Sequence, residues 1–207
     1  GDGAFICQNS WGDNFGENGF FYISYYDTNI GTHNVVYTDI ENTDNYDHIY
    51  QSDLCGWVGQ LGYNKDSIYG ANVFTAEGNE TLKAASFYAT GKDSQYELYV
   101  VRQFEDETSL EKMIPVASGK LGNAGYYTVD FNQGIEVDAG ERYAVVLYII
   151  TPGSVHPMAI EYAADEATEN VDLDDGESYI SANGSKWVSV DTVEKSNLCI
   201  KAFSDNR

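Results

Sequence analysis

The sequence predicts an all-β protein, a β-sandwich or jelly-roll-like domain preceded by a β-hairpin. Three observations carry this. Apolar and polar residues alternate over short runs, clusters of Gly, Asn and Asp separate those runs, and only residues 105–113, short and charged, offer a helical pattern. Residues 96–104 give the alternation most clearly, with Tyr96, Leu98, Val100 and Phe104 on one face and Glu97 and Gln103 on the other.

Residues 4–8 and 20–26 read as two strands. Between them stand Gly12, Asn14, Gly16, Asn18 and Gly19, the residue types that tight connections need. Residues 1–30 are therefore assigned to the hairpin. Residues 31–45 are polar and read as a linker, with Val35, Val36 and Tyr37 as a brief extended segment. The sandwich occupies residues 46–207, with β-rich runs at 126–131, 142–150, 177–182, 185–190 and 197–203. Asn183-Gly184 lies between two of these and predicts a two-residue type I′ turn, whose central positions both need positive φ. The chain opens inside a strand without an initiating Met, which predicts a piece of a longer protein.

At 207 residues the chain accommodates one main core with a modest appendage, and 43% hydrophobic and 14% aromatic residues can fill that core. Eleven Lys and Arg face 33 Asp and Glu, a formal charge of -22. Such a surface repels phosphate backbones and anionic lipid, so no nucleic-acid partner is expected and a bare membrane is a poor one. No apolar run approaches the roughly 20 residues of a membrane span, and membrane insertion is not expected. Cys7, Cys55 and Cys199 make neither a disulfide framework nor a CxxC metal spacing. One bridge is available, with Cys55 and Cys199 as its candidates, while Cys7 reads as buried and free.

The run Gln8-Asn9-Ser10-Trp11-Gly12, followed by Phe15-Gly16-Glu17-Asn18-Gly19-Phe20, resembles the signature near the end of papain-like cysteine peptidases, NSWG and then WGExGY. The resemblance implies that Asn9 matches the catalytic Asn, whose side-chain carbonyl orients the imidazole of the catalytic His, and that Trp11 matches the indole shielding that hydrogen bond. Phe15 stands where the family has a second Trp. The family's nucleophilic Cys and its His lie upstream of this Asn, so Cys55, His33, His48 and His156 do not match them. Asn9 thus reads as a relic that orients a missing His. Phe5, Phe20, Phe21 and Ile23 read as the apolar face of the hairpin, of the kind that packs inside a peptidase domain.

Further along, DLCGW (53–57), GANVFTA (70–76), LKAASFY (82–88), GYYTVDF (125–131), GESYIS (176–181) and CIKAF (199–203) together resemble the lectin-like domain appended to papain-like peptidases of gut Clostridia. The resemblance implies a secreted or cell-surface bacterial peptidase, an extracellular location, an upstream peptidase domain as partner, and a glycan or cell-surface ligand.

Carbohydrate recognition needs an aromatic platform for the apolar face of a pyranose and planar polar groups beside it. Trp57, Tyr63 and Tyr69 lie among Gly, Asn, Gln and Ser, and Trp187 follows the Asn-Gly pair, so these four are the ligand-binding candidates, although Trp57 beside Gly56 also reads as core. For a metal, residues 170–176 carry Asp172, Asp174 and Asp175 as oxygen ligands for Ca²⁺. Gly176 falls one place late for an EF-hand and no Glu closes the loop, so a solvated acidic surface is the competing reading. The histidines have no zinc spacing.

Three functions stay open at this stage. The first is a non-catalytic binding module; the second is a peptidase fragment that completes an active site with an upstream portion; the third is a structural or protein-docking sandwich. A glycosidase lacks a locatable carboxylate pair.

Overall fold

The computed structural model describes residues 3–32, 34–38 and 40–207; His33 lies outside the described residues. The chain divides into two compact units, one ending at Asn42 and one spanning Thr43–Arg207.

In the first unit β1 (Ala4–Gln8) and β2 (Phe20–Ser24) pair antiparallel, Phe5 opposite Ile23 and Cys7 opposite Phe21. The period of two puts those four residues on one side. Phe20, paired with Gln8, falls on the other side, which corrects the expected apolar face. Cys7 is half-buried rather than buried. Gly16 sits at φ 65°, and a Cβ there would meet the Phe20 carbonyl oxygen at 2.1 Å, so the connection demands glycine. The extended segment expected at Val35-Val36-Tyr37 forms no strand, and its side chains are exposed.

The second unit is built from β3 (His48–Tyr50), β4 (Gly59–Leu61), β5 (Ser67–Thr75), β6 (Glu80–Ala89), β7 (Ser94–Val101), β8 (Ile114–Leu121), β9 (Gly125–Val137), β10 (Arg142–Ile150), β11 (Met158–Glu161), β12 (Ser178–Ser181), β13 (Val188–Ser189), β14 (Asn197–Leu198) and β15 (Ile200–Asn206). A six-stranded sheet runs β13-β12-β5-β10-β7-β8, a four-stranded sheet β3-β15-β6-β9, and a small sheet β14-β11-β4. All pairs are antiparallel. Leu82, Phe87 and Ile200 from the four-stranded sheet share one buried cluster with Ile68, Leu98, Val145 and Leu147 from the six-stranded sheet. Each such side chain contributes roughly 1.5–3 kcal/mol on burial. Strand alternation sends Glu97 and Tyr148 to the outer side of the six-stranded sheet and Tyr88 to that of the four-stranded sheet, while Val101, Ala144 and Val146 on the former are buried in a second apolar cluster.

The helical pattern at 105–113 condenses to a 3-10 helix, Glu107–Glu111. Asp106 caps it by accepting from the Thr108 amide at 3.0 Å, and Leu110 anchors it in a second apolar cluster with Phe104 and Val146. The expected two-residue turn at Asn183-Gly184 is replaced by a longer loop between β12 and β13. Gly184 alone of the pair takes a positive φ, 74°. Asn183 Oδ1 instead accepts from the amides of Ser185 and Lys186 at 3.1 and 3.2 Å. Its short side chain stands in for a backbone acceptor and draws in residues that a tight hairpin would have paired.

No helix among the described residues is long and apolar enough to cross a membrane.

Candidate functional site

In the hairpin unit the Asn9 carboxamide is held at both ends. Its Nδ2 donates to the Gly19 carbonyl at 2.9 Å, and its Oδ1 accepts from the Trp11 amide at 2.6 Å. An amide oxygen accepts two hydrogen bonds, so one lone pair is left for an imidazole N–H. The Trp11 indole is 76% exposed and meets Phe15 edge to face at 5.1 Å. Asn9, Trp11, Gln8, Ser10 and Phe21 line an open depression of about 350 Å³. The two residues read from the sequence as the orienting amide and the shielding indole are therefore brought together on one local surface.

The thiols are arranged against nucleophilic chemistry. All three are free, so the bridge considered for Cys55 and Cys199 does not form; Cys55 is exposed and Cys199 buried. Desolvation and then the Glu161 carboxylate push the Cys55 thiol up, and burial and then the Asp53 carboxylate push Cys199 up. A catalytic thiol needs the opposite, a cationic neighbour that favours the thiolate. Among the described residues no thiol is hydrogen-bonded to an imidazole, and no group of three or more His, Cys, Asp or Glu side chains is arranged to hold a metal ion.

The four aromatic candidates separate. Trp57 is 37% exposed, not core: Gly56, at φ 71°, turns the chain close over the Tyr88 hydroxyl, and the indole comes to rest 5.8 Å from the Tyr88 ring. Tyr88 lies 5.0 Å from Tyr126, its partner in the β6–β9 register, and Tyr126 is exposed. Trp57, Tyr88 and Tyr126 thus form an aromatic strip on the side of the four-stranded sheet opposite Phe87. Tyr63 packs against the main core. Tyr69 stacks on Tyr148 at 4.2 Å and meets Trp187 edge to face at 6.2 Å, on the outer side of the six-stranded sheet. A Cβ on Gly184 would reach the Tyr69 ring at 3.1 Å, so the loop after β12 also covers that ring.

The acidic candidates separate too. Asp174 points outward and pairs with Lys195 at 2.7 Å. Asp172 turns its Oδ1 to the Asp174 amide at 3.0 Å. The Asp172 carbonyl and the Asp175 carboxylate point inward to Asn197, each at 3.0 Å from its Nδ2, where they meet the Ser52 carbonyl at 2.8 Å and Glu161 Oε2 at 3.1 Å. Asp175 is pushed up by partial burial, and further by the charges of Asp172 and Glu161. Sequence reasoning missed Glu161, Asn197, Tyr88 and Tyr126. Glu161 and Asn197 carried one signal, a polar residue beside the apolar runs Met158-Ala159-Ile160 and Leu198-Cys199-Ile200.

The family model described as the lectin-like domain matches residues 49–204. Two solved structures share the fold. One is a clostridial cysteine protease, Cwp84, after propeptide cleavage, at TM-score 0.79 and 23% identity over 99% of this chain and 52% of that one. The other comprises the cysteine protease and lectin-like domains of Cwp84, a surface layer associated protein of Clostridium difficile, at TM-score 0.72 and 23% identity over 99% of this chain and 46% of that one. This chain spans about half the length of either structure. No curated protein matches it. With the sandwich unit matched almost end to end by the family model, the chain belongs to the lectin-like domain family.

Proposed function

We propose that this chain is a non-catalytic, glycan-binding module of a secreted bacterial papain-like cysteine peptidase, acting outside the cell or at its surface. The observation that carries the reading is the strip of Trp57, Tyr88 and Tyr126, since an indole left 37% exposed beside two tyrosines offers pyranose rings an apolar platform at little cost in side-chain entropy. In this reading residues 1–30 close the peptidase domain, with Asn9 orienting a histidine and Trp11 shielding that contact, and residues 31–45 link it to the sandwich. A glycan array probed with the chain and with Trp57→Ala tests the reading. Binding by the wild type that the variant loses supports it; silence across the array, together with stabilisation of an attached peptidase domain, favours a structural or docking sandwich instead.

A calcium ion fits the same unit. The Asn197 amide has two hydrogens, yet four oxygens crowd within 3.1 Å of its nitrogen. Such a set of hard oxygen donors is what Ca²⁺ takes. With an ion among those oxygens in place of the amide nitrogen, the Asn197 side chain, turned by half a rotation, would present its oxygen to the ion. The ion would be held by the carboxylates of Asp175 and Glu161, the carbonyls of Ser52 and Asp172, and Asn197, with Asp174 outside the set.

A further inference from the structure

We infer a sugar-binding subsite on the outer face of the six-stranded sheet, distinct from the Trp57 strip. It rests on the glycan-binding reading above and gives it a second location. In the antiparallel register of β10, β7 and β8, Tyr148 is opposite Glu97 and Glu97 opposite Ser118, while Ile150 is opposite Gln95 and Gln95 opposite Lys120. These are two adjacent cross-strand rows on one face, with neighbouring Cβ atoms about 4.5–5.5 Å apart. Together they line an open depression of about 260 Å³. Tyr148 and Ile150 make its apolar end, and the exposed Gln95, Glu97, Ser118 and Lys120 make its polar end.

The rows are organised as recognition requires. Tyr69 covers one face of the Tyr148 ring at 4.2 Å, with Trp187 behind it, so the Tyr148 ring is fixed before any ligand arrives. Glu97 is oriented by the Tyr99 hydroxyl, which donates to its Oε2 and leaves Oε1 for a ligand hydroxyl. Gln95 offers an acceptor and two donors, Ser118 one of each, and Lys120 donors alone. A platform beside a carboxylate, a carboxamide, a hydroxyl and an ammonium matches a pyranose, whose ring presents an apolar face and a rim of hydroxyls. The volume lies just below the roughly 300–1,000 Å³ of drug-sized pockets, so one or two sugar rings fit. Glu97 and the overall charge of -22 select neutral or N-acetylated sugars over uronic or sulfated ones.

The test is an NMR titration of the whole chain with cellotetraose, chitotetraose and a tetragalacturonate, with affinities measured for wild type, Glu97→Gln, Lys120→Ala, Tyr148→Ala and Trp57→Ala. The inference expects amide shifts on β7, β8 and β10 with cellotetraose or chitotetraose, and about tenfold weaker binding for Glu97→Gln, the loss of one charge-assisted hydrogen bond. Gln95, Glu97, Ser118 and Lys120 are exposed, so Glu97→Gln and Lys120→Ala keep the fold even where Tyr148→Ala does not. Shifts confined to the Trp57 strip, with unchanged affinity in the Glu97 and Lys120 variants, overturn the subsite and leave the glycan-binding reading standing. Preferential binding of tetragalacturonate overturns the assigned sugar class. No binding of any of the three sinks both.

Discussion

The Tyr50 hydroxyl lies 2.8 and 2.9 Å from the two carboxylate oxygens of Glu80, a residue with no solvent exposure. Ser204 donates to the same carboxylate at 2.5 Å and the Gly78 amide at 2.8 Å. Burial alone raises Glu80, and the Ser204 and Tyr50 hydroxyls and the Gly78 amide outweigh it, leaving the carboxyl below its ordinary 4.5. A group depressed in the folded state stabilises the fold above its unfolded value, and that stability is lost as pH falls through the folded value. Thermal melts from pH 7 to pH 3 are therefore expected to show wild-type stability declining below about pH 4.5, with a flatter profile for Glu80→Gln. Tyr50→Phe, which leaves a buried acceptor short of a donor, costs roughly 1–3 kcal/mol at neutral pH. An unchanged midpoint in Tyr50→Phe would show that the contact carries no stability.

Asn72 makes the next prediction. Its Nδ2 donates to the carbonyls of Leu198 and Ile200 at 2.9 and 2.8 Å, and its Oδ1 accepts from Ser178 at 2.7 Å. These bonds tie β5 to the point where the chain leaves β14 and enters β15, inside the core. Asn72→Leu strands two carbonyls and one hydroxyl, and chemical denaturation is expected to register a loss of about 2–4 kcal/mol.

Calcium is expected to raise the melting temperature of the whole chain, because a ligand bound only by the folded state stabilises it by about 2.7 kcal/mol at a hundred times its dissociation constant. Asn197→Ala and Asp175→Asn remove that response, whereas Asp174→Asn keeps it, since Asp174 pairs with Lys195 instead. A chelator-treated sample whose melt ignores added Ca²⁺ would refute the site.

In calcium-free buffer, exposed Cys55 is expected to react slowly with an aromatic disulfide reagent at pH 8, because its thiol is held above the ordinary value by desolvation and by the Glu161 carboxylate, which takes the Cys55 amide at 2.5 Å. Glu161→Gln removes the charge and speeds the reaction. Buried Cys199 reacts on the timescale of unfolding. Rapid labelling of native wild type at both positions would contradict this arrangement.

What the chain's own order of residues determined was everything that depends on near neighbours. The period of two placed Leu98 and Val100 inward and Glu97 outward, and the contiguous run from Gln8 to Gly19 carried the Asn9 and Trp11 arrangement, because the partners of Asn9 are Trp11, Phe15 and Gly19. Only the tertiary structure decided where distant segments converge. Ser52 and Asn197 stand 145 residues apart in sequence yet 2.8 Å apart in space, and Tyr148 gains its polar companions from strands that precede it in the chain. The exposure of Trp57, which the sequence offered both as a ligand platform and as core, and the length of the Asn183 loop were not legible in the linear order for the same reason. Exposure and loop shape follow from what packs alongside, Tyr88 in one case and Tyr69 in the other, and spacing along the backbone does not encode which strands will lie side by side.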